Sequence, residues 1–174
     1  MAGLPGAEAI TTERLVLAPL RVEDADEMVS VLSDVRLYEL TGGHPASLEE
    51  LRDRYRRLVA GPAATGEAWL NWIVRRLPEE AAVGTVQATI YLEATPTAYV
   101  AWVTGIEWQG RGFASEAATA LVEWLRSRGI HRISASIHPL HRASARVAEH
   151  IGLEPTEEHH DDELVWRLPL PATP

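Results

Sequence analysis

A glycine-rich turn joins a strand-like segment to a helical one in this chain of 174 residues. The segment from Ala98 to Thr104 has the composition of a strand, whereas Ser115 to Arg126 is strongly helical. Between them, Gln109 to Ala114 has the sequence Gln-Gly-Arg-Gly-Phe-Ala. Gly110 and Gly112 can adopt dihedrals that other residues resist, and they let the main chain pass close to a ligand. The turn therefore predicts a ligand-binding connection between a strand and a helix.

The start of the predicted helix favours an anionic ligand. The first N–H groups of a helix lack intrahelical partners, and they lie at the positive end of its dipole. Arg111 adds a positive charge, so the turn predicts a phosphate cradle, with an ordinary strand-to-helix turn as the alternative. A P-loop is not expected because its Gly-x-x-x-x-Gly-Lys-Ser/Thr motif is missing. The third glycine of a dinucleotide fingerprint is replaced by Ser115.

Three segments resemble one known family. The stretch from Trp102 to Ala114 is similar to the acetyl-CoA signature of the GNAT N-acetyltransferases. Thr12 to Leu17 resembles the opening strand of the RimJ/RimL-type branch of that family. His138 to Leu153 resembles the helix of that branch, which carries a His-Pro-x-Asn-x-x-Ser motif and ends in Gly-Phe. The resemblance spans nearly the whole chain in the expected order.

The resemblance implies a single GNAT domain over residues 1–174, with loose tails at about 1–9 and 169–174. It implies an α/β (α+β) fold, in which a mixed, mostly antiparallel sheet of about seven strands splays between the fourth and the fifth. About four helices would cover both faces. Periodicity by itself predicts only a mixed α/β class, because it does not show which strands pair. Strands of the chain are expected at residues 14–20, 69–75, 83–91, 97–104, 132–137, 154–159 and 163–168. Helices of the chain are expected within 24–60, at about 113–128 and at 143–151.

Composition limits the partners of the chain. It has 16 Lys and Arg against 25 Asp and Glu, for a formal charge of −9, so nucleic acid is an unfavourable partner. There is no cysteine, which excludes disulfides and thiolate chemistry. No apolar run reaches the roughly 18 residues of a membrane helix, and the first residues do not resemble a signal peptide. We therefore expect a cytoplasmic protein without a membrane partner, and the resembled branch suggests a homodimer.

The resemblance also implies how acetyl-CoA would bind. The strand before the turn would splay at a bulge, and its backbone would hold the pantetheine arm and the acetyl carbonyl oxygen. The positions concerned are Val103, Thr104, Gly105 and Ile106. The diphosphate would lie on the main-chain amides of Gln109, Gly110, Arg111, Gly112, Phe113 and Ala114.

The activity implied is transfer of the acetyl group to a primary amine, which attacks the thioester directly while N–H donors stabilise the developing oxyanion. The acceptor would be a peptide N-terminus or a small-molecule amine, and no motif identifies it. One alternative is a catalytically weak module of the same fold that binds or senses acyl-CoA. Another is an unrelated nucleotide-binding domain with a Gly-x-Gly turn.

Two catalytic residues are candidates. Many relatives carry a tyrosine acid at the position of Ala148, so Ser144 is our candidate for protonating the thiolate that leaves. Alternatively, Ser144 only caps its helix or contacts pantetheine. His141 replaces the Asn of the branch and is expected to contact the cofactor. Glu107 is the candidate base because it lies nearest to the splayed strand, although it could equally be a solvated surface charge.

Other candidates carry less chemistry. Glu39 and His44 are alternatives to Glu107 as the base. We expect no metal site, although two groups contain possible ligands, namely 138–141 and 159–162. Trp124 and Trp166 occupy apolar periodic positions and are expected in the core. Trp108 lies in the cofactor loop, and Trp69 and Trp72 lie near the expected acceptor cleft, so these three could line a binding surface.

Overall fold

The computed structural model describes residues 6–63 and 65–170. In this part of the chain, eight strands form a single sheet. They are β1 (Ile10–Thr11), β2 (Leu15–Pro19), β3 (Glu67–Arg76), β4 (Ala81–Tyr91), β5 (Thr97–Thr104), β6 (Arg132–Ile137), β7 (Glu154–His160) and β8 (Glu163–Arg167). The α-helices there are α1 (Ala25–Val31), α2 (Leu48–Ala60), α3 (Phe113–Ser127) and α4 (Arg142–His150). Short 3-10 segments lie at Val22–Asp24, Val35–Tyr38 and Ile106–Trp108.

The strands follow the spatial order β1-β2-β3-β4-β5-β6-β8-β7. Every neighbouring pair is antiparallel except β5 and β6, which are parallel. The predicted α/β class with a mixed, mostly antiparallel sheet is therefore confirmed. The sheet has eight strands rather than about seven, because Ile10 and Thr11 pair with Leu17 and Val16 as an additional edge strand.

The sheet opens between its two parallel strands. β5 pairs with β6 only over Thr97–Tyr99, opposite Arg132–Ser134. Beyond Tyr99, β5 continues along β4 to Thr104 with uninterrupted register, while β6 continues along β8. The expected bulge is therefore absent from the pairing of β5 with β4. Register irregularities lie instead between β3 and β4, where Val83 of β4 is an extra residue opposite Val74 and Arg75, and between β7 and β8. The gap arises because two parallel strands diverge.

Helices cover both faces of the sheet. The alternation of side chains along β3 shows this, since Trp72 and Val74 belong to the core beneath α3, whereas Ile73 packs with α1 and α2. On the second face Ile73 meets Met28 and Leu51, and all three are almost fully buried. Burying each such side chain contributes about 1.5–3 kcal/mol. The two cores hold α1 and α2 on one side of the gap and α3 on the other.

Local signals set the ends of the helices. Ser47 and Glu50 form a capping box at the start of α2, with the Ser47 hydroxyl accepting from the Glu50 N–H at 3.3 Å. Gly61, at φ +77°, ends that helix. Gly129 follows α3 at φ +79°, a left-handed conformation that glycine adopts without the strain of a Cβ. The helix ends expected at residue 60 and at about residue 128 are thus confirmed.

The predicted tails are only partly described. Residues 1–5 and 171–174 lie outside the described residues. Glu8, within the tail predicted to be loose, is anchored because its carbonyl accepts from Trp72 Nε1 at 2.8 Å and its carboxylate pairs with Arg128. In the described ranges no helix combines the length and apolar character needed to cross a bilayer.

Candidate functional site

The turn before α3 presents a row of unused donors. Gly110 and Gly112 have φ of +74° and +80°, and Gly112 directly precedes the helix. The Glu116 N–H donates to the Gly112 carbonyl at 3.0 Å. Within residues 6–63 and 65–170, none of the N–H groups from Gly110 to Ser115 donates to a protein acceptor. The turn thus has the geometry of an anion site at a helix N-terminus.

A cluster that we call the Glu116 clamp holds this turn. It consists of Thr12, Arg14 and Glu116. Glu116 Oε1 accepts from Thr12 Oγ1 at 2.6 Å and from the Arg14 N–H at 3.0 Å, and Oε2 accepts from Arg14 Nε at 2.7 Å. Arg14 Nη1 donates to the carbonyl of Arg111 at 3.0 Å. The clamp therefore fixes the turn to the segment between β1 and β2.

The electrostatics of Glu116 agree with this role. Partial burial raises the pKa of its carboxyl, but the hydrogen bonds from Thr12 and Arg14 and the charge of Arg14 outweigh burial, so the net pKa is below its usual value. The carboxylate is charged at neutral pH, and Arg14 compensates that charge. An anion at the start of α3 is therefore not opposed by an unpaired carboxylate there.

Two guanidinium groups surround Trp108, which belongs to the same turn. Arg111 lies over the indole ring at 5.1 Å, and Arg76 lies 5.3 Å from the ring centroid. Arg111 Nη2 also donates to the Glu107 carbonyl at 3.1 Å. The turn therefore carries positive charge from β3 as well as its own, and Arg76 was not among the predicted site residues.

The gap beside β5 exposes backbone groups on alternate residues. The Gly105 N–H donates to the Val83 carbonyl on β4 at 2.9 Å, so Gly105 and, two residues earlier, Val103 direct their backbone groups towards β4. Thr104 and Trp102 then direct theirs towards the gap. Gln109 Nε2 donates to the Thr104 carbonyl at 3.0 Å, which is consistent with this parity. Of the predicted backbone contacts, Thr104 faces the gap, and Trp102 joins it as a residue that sequence reasoning missed.

Glycine is required where β4, β5 and α1 meet. A Cβ on Gly105 would lie 2.8 Å from Val31 Cγ1, and a Cβ on Gly84 would lie 2.1 Å from the Val103 carbonyl oxygen. Both distances are shorter than a real Cβ contact, so side chains are excluded. These glycines let β4 and α1 approach the end of β5. Ile106, the last of the predicted pantetheine positions, begins the 3-10 segment that leads to the turn.

The second helix that begins beside the gap is α4. Because β5 and β6 are parallel, the helices that follow them both start at the same end of the sheet. His141 caps α4, with Nδ1 accepting from the Ser144 N–H at 3.3 Å. His141 thus supplies the side-chain acceptor that caps a helix, as an Asn at that position also could.

Ser144 and Ala148 differ in what they offer. The Ser144 side chain is half-buried, and its hydroxyl makes no hydrogen bond in the described part of the chain. Ala148 is fully buried in the core and carries no proton donor. In the first two turns of α4, Ser144 is therefore the residue with a free hydroxyl near the gap.

The predicted bases are all on the surface. Glu107, Glu39 and His44 are exposed. Glu107 lies in the 3-10 segment directly after β5, whereas Glu39 and His44 lie in the connection between α1 and α2. Across the described ranges, no group of three or more His, Cys, Asp or Glu is arranged to hold a metal ion.

A cavity of about 180 Å³ lies between the α1–α2 region and the sheet. Its walls are mostly apolar, and one of them includes Val103, at the end of β5. The lining residues are Leu20, Leu32, Leu37, Tyr38, Thr41, Leu51, Arg54, Tyr55, Leu58, Asn71, Trp72, Thr85, Val86, Gln87 and Val103. Trp72 borders the cavity, but its side chain lies in the core beneath α3 on the other face of the sheet, and Trp69 does not line the cavity. The cavity therefore reaches the strand at which the sheet opens.

Comparison with known proteins gives concordant matches. A model of the acetyltransferase (GNAT) domain family matches residues 14–154. The uncharacterized N-acetyltransferase p20 of Bacillus licheniformis is 25% identical over 149 residues, which cover 84% of this chain and 83% of p20.

Solved structures share the fold. A GNAT-family acetyltransferase from Bacillus anthracis superposes with a TM-score of 0.74 at 24% identity, covering 92% of this chain and 98% of that one. RimL, a ribosomal L7/L12 alpha-N-protein acetyltransferase solved in complex with coenzyme A, superposes with a TM-score of 0.75 at 15% identity. That alignment covers 92% of this chain and 97% of RimL.

Proposed function

Because the chain belongs to the GNAT acetyltransferase family, we propose that it transfers the acetyl group of acetyl-CoA to a primary amine. The family resemblance found in the sequence is thereby confirmed. The acceptor is a small-molecule amine or a peptide N-terminus. The observation that carries the proposal is the row of unused N–H donors from Gly110 to Ser115 beside the gap between β5 and β6.

The residues of the turn fit the cofactor. A diphosphate needs several convergent donors and a compensating charge, which the free amides, the α3 dipole and Arg111 supply. The positive φ of Gly110 and Gly112 turns the backbone so that these amides point outwards together. Acetyl-CoA then brings a thioester, whose carbonyl carbon is the centre that an amine attacks.

Next to the turn, β5 holds the reacting end. The backbone groups of Trp102 and Thr104 that face the gap hydrogen-bond the pantetheine arm. An N–H aimed at the thioester carbonyl stabilises the negative charge that develops on its oxygen. The amine approaches from the cavity, since Val103 belongs to both β5 and the cavity wall.

Two proton transfers complete the reaction. Ser144, with its free hydroxyl on the first turn of α4, donates a proton to the thiolate that leaves. Glu107 accepts a proton from the amine, directly or through water, because it is the carboxylate nearest along the chain to the end of β5.

Cofactor binding is tested by thermal denaturation. At a concentration one hundred times its Kd, acetyl-CoA adds about 2.7 kcal/mol to the free energy of unfolding. For a chain of this size each kcal/mol raises Tm by about 2–4 °C, so the expected increase is roughly 5–10 °C. CoA should behave similarly, whereas NAD and ATP should leave Tm unchanged. An unchanged Tm with saturating acetyl-CoA would contradict the proposal.

Turnover is tested by the release of CoA thiol with a panel of amines. The chain contains no cysteine, so a thiol reagent detects only CoA. Ser144→Ala should lower kcat and leave stabilisation by acetyl-CoA intact. Ser127→Ala is the matched control, because it removes a hydroxyl that only donates to the Trp124 carbonyl at the far end of α3. Full turnover by Ser144→Ala would show that Ser144 is not the acid.

A second candidate function is an acyl-CoA-binding module with weak turnover. The observation in its favour is Ala148, which is buried and leaves α4 without a phenol. This alternative predicts a full increase in Tm with acetyl-CoA but thiol release well below about 1 s⁻¹ with every amine of the panel. A kcat in the ordinary enzyme range of about 1–10³ s⁻¹ would exclude it.

A further inference from the structure

The charge of the acceptor cavity is opposite to that of the whole chain. The formal charge of the chain is −9, yet the single charged side chain among the lining residues is Arg54. No Asp or Glu lines the cavity in the described part of the chain. A second positive charge on an acceptor, as in a polyamine, would therefore meet no counterion here.

Arg54 is available to a ligand. It forms no salt bridge and no hydrogen bond within the described ranges, in contrast to Arg52 and Arg56 on the same helix, which pair with Asp26 and Asp53. Hydrogen bonds from the N–H and hydroxyl of Ser47 lower the pKa of the Glu50 carboxyl, and the charge of Arg54, one turn later, contributes less to that lowering. Arg54 thus brings to the cavity an exposed guanidinium that makes no ion pair within the described ranges.

The hydroxyl of Tyr55 is enclosed by protein and does not open into the cavity. Tyr55 is 3% exposed, and its Oη is buried without a hydrogen-bond partner in the described part of the chain. Burial, helped by the negative charge of Asp24, raises the pKa of this phenol, so it stays neutral. Tyr55 therefore contributes the apolar side of its ring to the cavity wall and no donor.

The neighbouring hydroxyls are already engaged. Tyr38 Oη donates to the Leu32 carbonyl at 2.9 Å, and Thr41 Oγ1 donates to the Leu37 carbonyl at 3.1 Å. Arg54 is therefore the cationic donor at the cavity, and the amides of Asn71 and Gln87 and the Thr85 hydroxyl are further lining donors. A guanidinium favours an oxygen acceptor that is negatively charged.

The volume of the cavity limits the rest of the ligand. A cavity of about 150 Å³ lined by apolar side chains accommodates benzene in another protein. The cavity here, at about 180 Å³ with several leucines and Val103 in its walls, accommodates one ring or branched chain of about that size. It does not accommodate a long extended molecule.

We propose that the acceptor is a free hydrophobic α-amino acid, whose side chain fills the cavity while Arg54 pairs with its carboxylate. This inference rests on the proposed acetyltransferase function and names its substrate class. A peptide N-terminus presents an uncharged amide where the amino acid has a carboxylate, so it leaves Arg54 unpaired.

The reaction balances as an acyl transfer. The bond between the amine nitrogen and the acetyl carbon forms, and the bond between that carbon and the CoA sulfur breaks. From the ammonium form of the amino acid and acetyl-CoA, the products are the N-acetyl amino acid, CoA thiol and one proton released to solvent.

The test compares three amines that share one ring: phenylalanine, phenylalaninamide and phenethylamine. We expect kcat/KM for phenylalanine to exceed that for phenylalaninamide by about tenfold or more, as for a charge-assisted contact. Spermidine should be the poorest acceptor. A preference for the amide or for spermidine would overturn the proposal while the acetyltransferase function stood.

Two variants connect the preference to the cavity. Arg54→Gln should reduce the ratio of kcat/KM for phenylalanine to that for phenylalaninamide to about twofold or less. Arg57→Gln is the matched control, because it makes the same change on the same helix outside the cavity and should keep the ratio of the wild type. Equal ratios in Arg54→Gln and Arg57→Gln would refute the role of Arg54.

Binding gives a readout that does not need turnover. With CoA present, isothermal titration with phenylalanine and with N-acetylphenylalanine should show binding that Arg54→Gln weakens about tenfold and Arg57→Gln does not. If neither ligand binds, or if both variants bind equally, the inference fails even when other amines release thiol. If acetyl-CoA itself does not bind, the proposed function fails, and titration of phenylalanine alone still decides the role of Arg54.

Discussion

The Glu116 clamp gives the sharpest prediction about the cofactor turn. Glu116→Gln keeps the size of the side chain but removes its charge and replaces one acceptor by an amide N–H₂. That group would face Arg14 Nε, which now lies 2.7 Å from Oε2, so two donors would oppose each other. The Arg14 side chain should then move, and its contact with the Arg111 carbonyl should weaken.

The size of the effect follows from exposure. Hydrogen bonds to charged groups contribute about 1.5–3 kcal/mol when buried, whereas exposed ion pairs contribute about 0.2–1 kcal/mol. The Glu116 side chain is 18% exposed and that of Arg14 is 46% exposed, so an intermediate loss of about 1–2 kcal/mol is expected. This corresponds to a fall in Tm of roughly 2–8 °C.

The loss should depend on pH. The folded pKa of Glu116 is below its usual value of 4.5, so the clamp contributes stability above that pH and loses it as pH falls through the folded pKa. The difference in Tm between the wild type and Glu116→Gln should therefore be largest near pH 7 and shrink below about pH 4.5.

Differential scanning calorimetry across this pH range and titration with acetyl-CoA at pH 7 test the reasoning. We expect several-fold weaker binding of acetyl-CoA by Glu116→Gln because the turn is no longer held. Glu158→Gln is the control, since Glu158 pairs with Arg167 on the exposed β7–β8 hairpin, far along the chain from the turn. The reasoning is refuted if Glu116→Gln has the Tm of the wild type at pH 7, or if its affinity for acetyl-CoA is unchanged.

Two further substitutions test the glycines of the site. Gly112→Val should abolish stabilisation by acetyl-CoA, because a β-branched residue resists the φ of +80°. Gly129→Val is the control, since it has the same strain at φ +79° outside the turn and should lower Tm without preventing acetyl-CoA binding. Equal binding of acetyl-CoA by both variants would contradict the role of Gly112. Gly84→Ala should destabilise by about 3 kcal/mol or more, because its Cβ would lie 2.1 Å from the Val103 carbonyl oxygen. Urea denaturation measures that loss, and Gly6→Ala is the control because a Cβ on Gly6 would meet no atom within 4 Å. If Gly84→Ala had the free energy of unfolding of the wild type within error, the predicted clash with the Val103 carbonyl would be refuted.

Local sequence signals were sufficient for the elements and for the turn. Ser47, Gly61 and Gly129 act on their own helix ends, so caps and terminators could be placed without knowing the fold. Gly110 and Gly112 likewise predict the backbone conformation of the turn, because positive φ is a property of a single residue. The missing strand β1 has only two residues, which is too short for any periodicity to reveal.

Residues distant in the sequence could not be predicted in the same way. The clamp joins Thr12 to Glu116 across 104 positions, and neither residue carries a motif for it. Trp102 and Thr104 face the gap because the Gly105 N–H pairs with Val83, and that parity depends on the register of β5 with β4. The bulge expected at the end of β5 was wrong because the gap comes from the divergence of β5 and β6, and the sequence of one strand does not determine where two strands diverge.

By itself, the sequence determined the family, the order of strands and helices, and the glycine turn that would receive a diphosphate, because these depend on contiguous residues and on backbone preference. Only the tertiary structure decided which backbone groups face the gap, which carboxylate holds the turn, and what lines the acceptor cavity. The chain has a net charge of −9, yet the folded chain places Arg54, and no carboxylate of the described residues, at the cavity. The charge of a cavity depends on the few side chains that packing directs into it, and that selection exists only after the helices have docked on the sheet.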